Sequence, residues 1–179
     1  MILASHNPLW AVEFQALRDV YTSALGEVLV RVEHVGSTAV PDLLAKPILD
    51  IDLVMPSYDV FPEVVARLRR LGYIHNGDRG IREREVFKPL DNTAPFTSPP
   101  REWIKHHPYV CPAGSSELRR HLAFRDALRA QDNLRQEYEK RKLDIAERSG
   151  GDRKVYAQIK EIACRDFIES VLAAKNALV

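Results

Sequence analysis

The stretch "VEHVGSTAVPDLLAKPILDIDLVM", Val32 to Met55, decides how the chain is read. A β-branched apolar run stops at Gly36-Ser37, and a second apolar run, "ILDIDLVM", carries Asp50 and Asp52. The strand period of two puts Ile48, Asp50, Asp52 and Val54 on one face and Leu49, Ile51, Leu53 and Met55 on the other. Side-by-side carboxylates repel, and in a dry core each carries a desolvation cost of several kcal/mol. They therefore need water at a strand end or a compensating cation. Mg²⁺ is usually held by one or two carboxylates, waters and substrate phosphate oxygens. The turn upstream supplies the matching half of such a site: Gly36 permits close backbone approach, Ser37 adds a hydroxyl, and turn N–H groups receive phosphate. Lys46, between turn and acids, either neutralises phosphate charge or is a solvated loop lysine. Thr38 reads as a structural residue capping the turn.

Outward from this stretch, Asn7-Pro8 is a helix start, and Trp10, Phe14, Leu17, Val20, Tyr21 and Leu25 recur at helical spacing up to Gly26. "VLVRVEHV" has the composition of a strand. After the acidic strand, "VFPEVVARLRRLG" carries Val60, Val64, Val65 and Leu68 in a helical stripe with Gly72 beyond its end. From Tyr73 to Pro112 the pattern breaks into strand fragments, "GYIHNG", "REVFKPL" and "HHPYVCP", best placed as antiparallel additions to a mixed sheet. Everything after Ser115 is helical in period: "SSELRRHLAFRDALRAQ", "NLRQEYEKRKLDIAER" and "VYAQIKEIACRDFIESVLAA". Ser115 or Ser116 caps the first of these, and Gly150-Gly151 separates the second from the third. The expectation is an α+β unit, a sheet core over 1–113 and a helical segment over 114–179 packed on it.

Lys and Arg total 26 against 25 Asp and Glu among 179 residues, a net charge of +1. That balance gives no global case for a nucleic acid or anionic membrane partner, so any functional charge is local. Cys111 and Cys164 lie far apart without metal-finger companions and read as reduced thiols. No stretch approaches the roughly 18 uncharged apolar residues that span a bilayer. A soluble protein of the cytoplasm is the expectation.

Val35, Gly36, Ser37, Asp50 and Asp52 match the nucleotidyltransferase superfamily motif, a hydrophobic residue and Gly-Gly/Ser followed by an acid-x-acid strand. The longer run "HVGSTAVP...AKPI.DI" resembles the GrpB family, which shares that superfamily's fold. The helix around Trp10, "HHPYVCPAGSSELRRHLAFRDALR" and "YAQIKEIACRDFI" are similar to the family too, so the resemblance covers almost the full chain. It implies a nucleotidyltransferase-like mixed sheet with flanking helices and a two-metal site for transfer of a nucleotidyl group to an acceptor. Asp50 and Asp52 would be the catalytic acids and ligands of Mg²⁺ or Mn²⁺, and Gly36 and Ser37 would hold the triphosphate. GrpB-like domains fused behind dephospho-CoA kinase imply an alternative: a non-catalytic binding or folding-support module linked to coenzyme A biosynthesis. The chain has no GxxxxGK[ST] loop and so no kinase of its own.

Active superfamily members supply a third carboxylate from a neighbouring strand. Glu83 and Glu85 are the candidates, each also readable as an ordinary surface charge. The family's "HHLHV"-like strand is "HHPYV" here, which keeps His106 and His107 and puts Tyr109 where His is frequent. His107 is a candidate metal ligand or phosphate contact, with an inward hydrogen-bonded histidine as the competing reading. Asp42 stands where the family commonly has Gly, so the loop is expected to be shaped differently. Arg79, Arg82, Arg84 and Lys88 form a basic cluster; Arg82, Arg84 and Lys88 join Lys46 as nucleotide-binding candidates, against the reading of a charge-protected edge strand. The arginines of the later helix, Arg119, Arg120, Arg125 and Arg129, are expected to pair with nearby acids.

Overall fold

In the computed structural model, which describes residues 3–176, Asn7 Oδ1 accepts the Leu9 N–H at 3.0 Å and opens α1, Leu9–Leu25. The helix buries Trp10, Leu17, Tyr21 and Leu25, the spacing read from sequence. The strand expected over 28–35 begins later. Gly26–Val28 form a 3-10 turn that buries Val28, and β1 is Arg31–Val35. β2, Leu49–Met55, holds the two acids, and α2, Phe61–Arg70, follows with Val64 and Leu68 inward. The short strands β3 (Tyr73–His75), β4 (Glu85–Pro89) and β5 (His106–Pro112) complete a sheet of order β1-β2-β5-β4-β3.

The expected antiparallel additions hold for β3 on β4 and β4 on β5. They fail for β5, which lies parallel to β2. The chain leaves β2 through α2 and the β3–β4 hairpin, a connection long enough to return to the end of the sheet where β2 began. β1 closes the other side antiparallel, with Val35 opposite Asp50 and Glu33 opposite Asp52.

Four helices follow: α3 (Ser116–Ala130), α4 (Asp132–Arg148), α5 (Arg153–Ala163) and α6 (Arg165–Asn176). Ser115 caps α3, accepting the Leu118 N–H at 3.2 Å. The single closing helix expected over 155–174 is divided at Cys164. Backbone bonds from Cys164 to Lys160 and from Ile168 to Cys164 continue through the bend. Beyond it Phe167 stacks on Tyr138 with ring centroids 5.7 Å apart, so the division seats the last helix on α4.

The two faces of the sheet are packed differently. Leu49, Ile51, Leu53 and Met55 join α1 and α2 in the main apolar core. Beneath α1 a chain of hydrogen bonds threads that core: Tyr21 to Tyr73 at 2.7 Å, Tyr73 to His106 Nε2 at 2.6 Å, and His106 Nδ1 to the Ile104 carbonyl at 2.8 Å. His106 is thus an inward, hydrogen-bonded histidine. On the other face Val54 and Cys111 meet Leu118 of α3 in a small cluster, with the partly buried Leu122 against it. The helical segment has its own core, which takes in Leu3, Val40 and Leu43 from the first part of the chain. Both cysteines are free and buried. No helix among the described residues is long and apolar enough to cross a membrane.

Candidate functional site

Asp50 and Asp52 point to the same face, as their spacing requires, and meet different surroundings. Asp52 is fully buried, while the Asp50 side chain keeps 33% exposure at the rim of a cavity. Gly36 explains its own identity at this point. Its φ is 72°, and a Cβ there would stand 2.4 Å from Asp50 Oδ2. Only glycine lets the turn after β1 lie against that carboxylate.

The His121 side chain descends from α3 onto Asp52. Nδ1 lies 2.8 Å from Asp52 Oδ2 and Nε2 lies 3.2 Å from Glu117 Oε1. Burial works against a charged ring, yet the bonds to both carboxylates outweigh it and hold the His121 pKa up at about 9. Both nitrogens act as donors, so His121 is an imidazolium. Burial pushes the Asp52 carboxyl upward against the opposing bond from His121, while that same histidine lowers Glu117. Asp52 Oδ1 remains buried without a hydrogen-bond partner among the described residues.

α3 is fastened over this face by one helical stripe. Leu118 packs on Val54 and Cys111, His121 meets Asp52, Arg125 donates to Glu33 at 2.9 Å and to the His34 carbonyl at 3.0 Å, and Arg129 donates twice to the Ala39 carbonyl. The pairing with acids three or four residues away expected of helical arginines holds for Arg120 with Glu117 and, at 3.9 Å, for Arg129 with Asp126. Arg125 pairs with the adjacent Asp126, Arg120 lies closer to Glu169 of α6 at 2.7 Å, and Arg119 donates to the Gly114 carbonyl. Beneath the turn, Thr38 donates to the Ile48 carbonyl at 3.2 Å, so His34 Nε2, 3.0 Å from the same hydroxyl, is the donor to it. Burial depresses the His34 pKa to about 4. Thr38 is structural, joining the turn to both strands.

The cavity has a volume of ≈ 720 Å³. The sheet side contributes Ser37, Asp50, His107 and Tyr109, and the loops contribute Lys46 and Arg84. The helical segment closes it with Arg120, Lys142, Tyr156, Lys160 and Arg165. Lys46 lies 4.1 Å over the Tyr156 ring and donates to the Arg153 carbonyl at 3.3 Å. Lys142 is buried and bonds the Leu44 carbonyl. Burial, reinforced by Lys160, lowers the pKa of Lys46 and brings that of Lys142 down to about 7. The lining also carries Glu117, Glu161 and Glu169, and Arg120 is paired with Glu117 and Glu169. The remaining lysines and arginines leave an excess of positive charge that favours an anionic ligand.

Of the residues expected from sequence, Ser37, Lys46, Asp50, Arg84 and His107 meet on this cavity, with Gly36 behind Asp50. Arg84 lies 4.8 Å over the Tyr109 ring. Arg82 is exposed and lies outside the lining, and Lys88 lines a second cavity. Neither Glu83 nor Glu85 supplies a third acid. Glu83 accepts from the Ser116 N–H, and Glu85 binds Tyr58 and His75. On β5 the places beside Asp50 and Asp52 belong to His107 and Tyr109, each 3.4 Å from Asp50 Oδ1. Asp42, in place of the family's glycine, still takes the left-handed conformation, with φ 60°. The loop keeps the backbone shape glycine favours, because a short polar side chain tolerates it.

Among the described residues, no group of three or more His, Cys, Asp or Glu side chains is placed to hold a metal by itself. Of the two acids only Asp50 is on the cavity lining; Asp52, with its partnerless oxygen, is buried beneath α3 beside it. Carboxylate oxygens of this kind are the donor type that a hard cation takes together with water. By donor chemistry they fit Mg²⁺ or Mn²⁺.

The Gly36-Ser37 turn pressed on an acid-x-acid strand, in a mixed five-stranded sheet flanked by helices, makes this an α+β fold. The chain belongs to the GrpB family, whose profile, described as "GrpB protein", matches residues 1–173. It is 33% identical to the UPF0157 protein BH1888 of Halalkalibacterium halodurans, over 98% of this chain and 82% of that one. The crystal structure of conserved protein GrpB from Enterococcus faecalis superposes with a TM-score of 0.78 at 25% identity, covering 97% of this chain and 99% of that one. The dephospho-CoA kinase of Mycobacterium tuberculosis is 29% identical over 89% of this chain, which spans 43% of the kinase's length. Cid1, in complex with its short product ApU, matches at a TM-score of 0.48 and 13% identity, over 87% of this chain and 48% of that one.

Proposed function

We propose that the cavity binds a nucleoside triphosphate together with Mg²⁺ or Mn²⁺, and that the bound nucleotide is the donor in nucleotidyl transfer to an acceptor hydroxyl. The observation that carries this reading is the Gly36 turn held against Asp50 at the mouth of a cavity lined by Lys46, Lys142 and Lys160. Asp50 and the partnerless oxygen of Asp52 would hold the cation, which when bound neutralises phosphate charge and polarises the reacting oxygens. Ser37 and Lys46 would orient the triphosphate from the loop side, and Lys160 and Arg84 would balance its charge. His121, 2.8 Å from Asp52 Oδ2, holds that carboxylate in place and opposes the upward push of burial on it.

A second reading, binding without transfer, is favoured by the bond between His121 and Asp52, with no third carboxylate grouped with the two acids among the described residues. In that case the chain serves a partner such as an enzyme of coenzyme A biosynthesis, as the likeness to part of a dephospho-CoA kinase allows. Calorimetric titration with ATP, GTP, CTP and UTP in Mg²⁺, followed by a pyrophosphate-release assay with cell-extract metabolites, separates the two. Transfer predicts saturable binding of at least one nucleotide, weakened roughly tenfold or more by Lys160→Ala, and pyrophosphate release that depends on the extract. Binding without release supports the second reading, and no binding of any nucleotide rejects both.

A further inference from the structure

A second cavity, of ≈ 590 Å³, lies over β4 and β5 on the same face of the sheet. His107 and Tyr109 line both cavities and form the wall between them. The rest of the second cavity is different in kind. Val86, Trp103 and Ile104 give it an apolar body, and Lys88 and Lys105 stand on its lining together with Asp91 and two asparagines. The Trp103 indole N–H is already bonded to the Pro95 carbonyl at 2.9 Å, so the ring presents apolar surface rather than a donor.

The order across the sheet is informative. The Gly36-Ser37 turn follows β1, the acids are on β2, His107 and Tyr109 are on β5, and the second cavity spans β5 and β4. In-line displacement at phosphorus requires donor and acceptor on opposite sides of the reacting group. With triphosphate at the turn, the acceptor enters from the β5 side. Resting on the function proposed above, we infer that the second cavity is the acceptor subsite and takes an uncharged alcohol with an aromatic or branched aliphatic body. Its hydroxyl lies at the His107–Tyr109 wall, the side that the two cavities share. The acceptor oxygen forms a bond to the α-phosphorus, the bond from that phosphorus to the bridging oxygen breaks, and pyrophosphate leaves with the electron pair. The hydroxyl proton passes to water in the open cavity. Two lysines, Lys88 and Lys105, against the one carboxylate of Asp91 leave the lining net positive, which disfavours a cationic acceptor such as an amine.

The test uses the full chain labelled with 5-fluorotryptophan, whose two tryptophans, Trp10 and Trp103, give separate ¹⁹F signals assigned with Trp103→Phe. The probe is 2-phenylethanol, with 2-phenylethylamine as its charged counterpart. The inference predicts that 2-phenylethanol shifts the Trp103 signal and leaves Trp10 still, that the amine binds roughly tenfold more weakly, and that Val86→Phe, which fills the cavity, abolishes the shift. It also predicts that saturating ATP·Mg²⁺ leaves the alcohol bound. A Trp103 signal that ignores the alcohol, or a shift that survives in a folded Val86→Phe variant, overturns the subsite. Displacement of the alcohol by ATP·Mg²⁺ assigns the cavity to the nucleotide and overturns the acceptor role. Alcohol binding in a protein that binds no nucleotide leaves the cavity standing and overturns the functional reading on which the acceptor role depends.

Discussion

Each face of the sheet sets a histidine against it, and the two histidines are in opposite states. On the face toward α1, His34 is paired in register with Ile51, stacks on Phe14 at 4.7 Å and is neutral, its pKa depressed to about 4 by burial. On the face toward α3, His121 sits between Asp52 and Glu117 and is charged, its pKa held at about 9. Both side chains are largely removed from water. What separates them is partner chemistry: a hydroxyl and an aromatic ring leave burial to decide for His34, whereas two carboxylates overrule it for His121. One face of this sheet is packed mainly by apolar contact, while the other carries carboxylates that α3 meets with His121 and Arg125.

The comparison breaks most severely at His121. Replacing it by leucine leaves Asp52 buried without its cation, and a loss of about 3–5 kcal/mol in urea unfolding is expected. Because the penalty belongs to the orphaned carboxylate, a second change, Asp52→Leu, recovers most of the loss in the double variant; no recovery would mean that His121 acts through packing alone.

The pH dependence sharpens the contrast, with opposite signs on the two faces. A neutral buried His34 means that the unfolded chain binds the extra proton between its ordinary pKa near 6.5 and about 4. Its contribution is therefore present above about pH 6.5 and lost as pH falls through that window, amounting to roughly 3 kcal/mol. His121, raised to about 9, contributes fully below its ordinary value of 6.5 and loses its contribution as pH rises through 9. Thermal unfolding of His34→Leu measured against wild type from pH 4 to 7 should show a flatter acid limb, and a parallel limb would refute the neutral assignment. The smallest expected effect is on the apolar face. Ile51→Val should cost about 1 kcal/mol of stability and leave nucleotide binding unchanged.

Much of this layout was legible in the sequence for a physical reason. Helix and strand periods report which residues share a face, so the α1 stripe, the shared face of Asp50 and Asp52 and the Gly36-Ser37 turn could all be placed before any packing was known. Their separate fates could not, because Asp52 is buried by α3, a helix about seventy positions away in the chain, and no periodicity in β2 reports that cover. α3 itself conceals its role. Its inward stripe of Leu118, His121, Arg125 and Arg129 is mostly polar because the surface beneath it is polar, so it lacks the apolar signature that marks a core-facing helix. Lys142, Tyr156 and Lys160 were hidden likewise: each sits in an ordinary charged helix, and only the seating of α4 and α5 against the Leu44–Lys46 loop brings them to the cavity. The parallel entry of β5 depended on the path of the chain rather than on its local pattern.

The central claim is that Asp50, facing the glycine turn, joins a cation to a bound triphosphate. It is tested most directly by calorimetric titration of ATP into wild type and Asp50→Asn, each with and without Mg²⁺. The account predicts that Mg²⁺ tightens ATP binding to wild type at least roughly tenfold, about 1.4 kcal/mol, and that Asp50→Asn keeps the Mg²⁺-independent binding while losing that gain. Equal ATP affinity in the two proteins, with and without Mg²⁺, would contradict it.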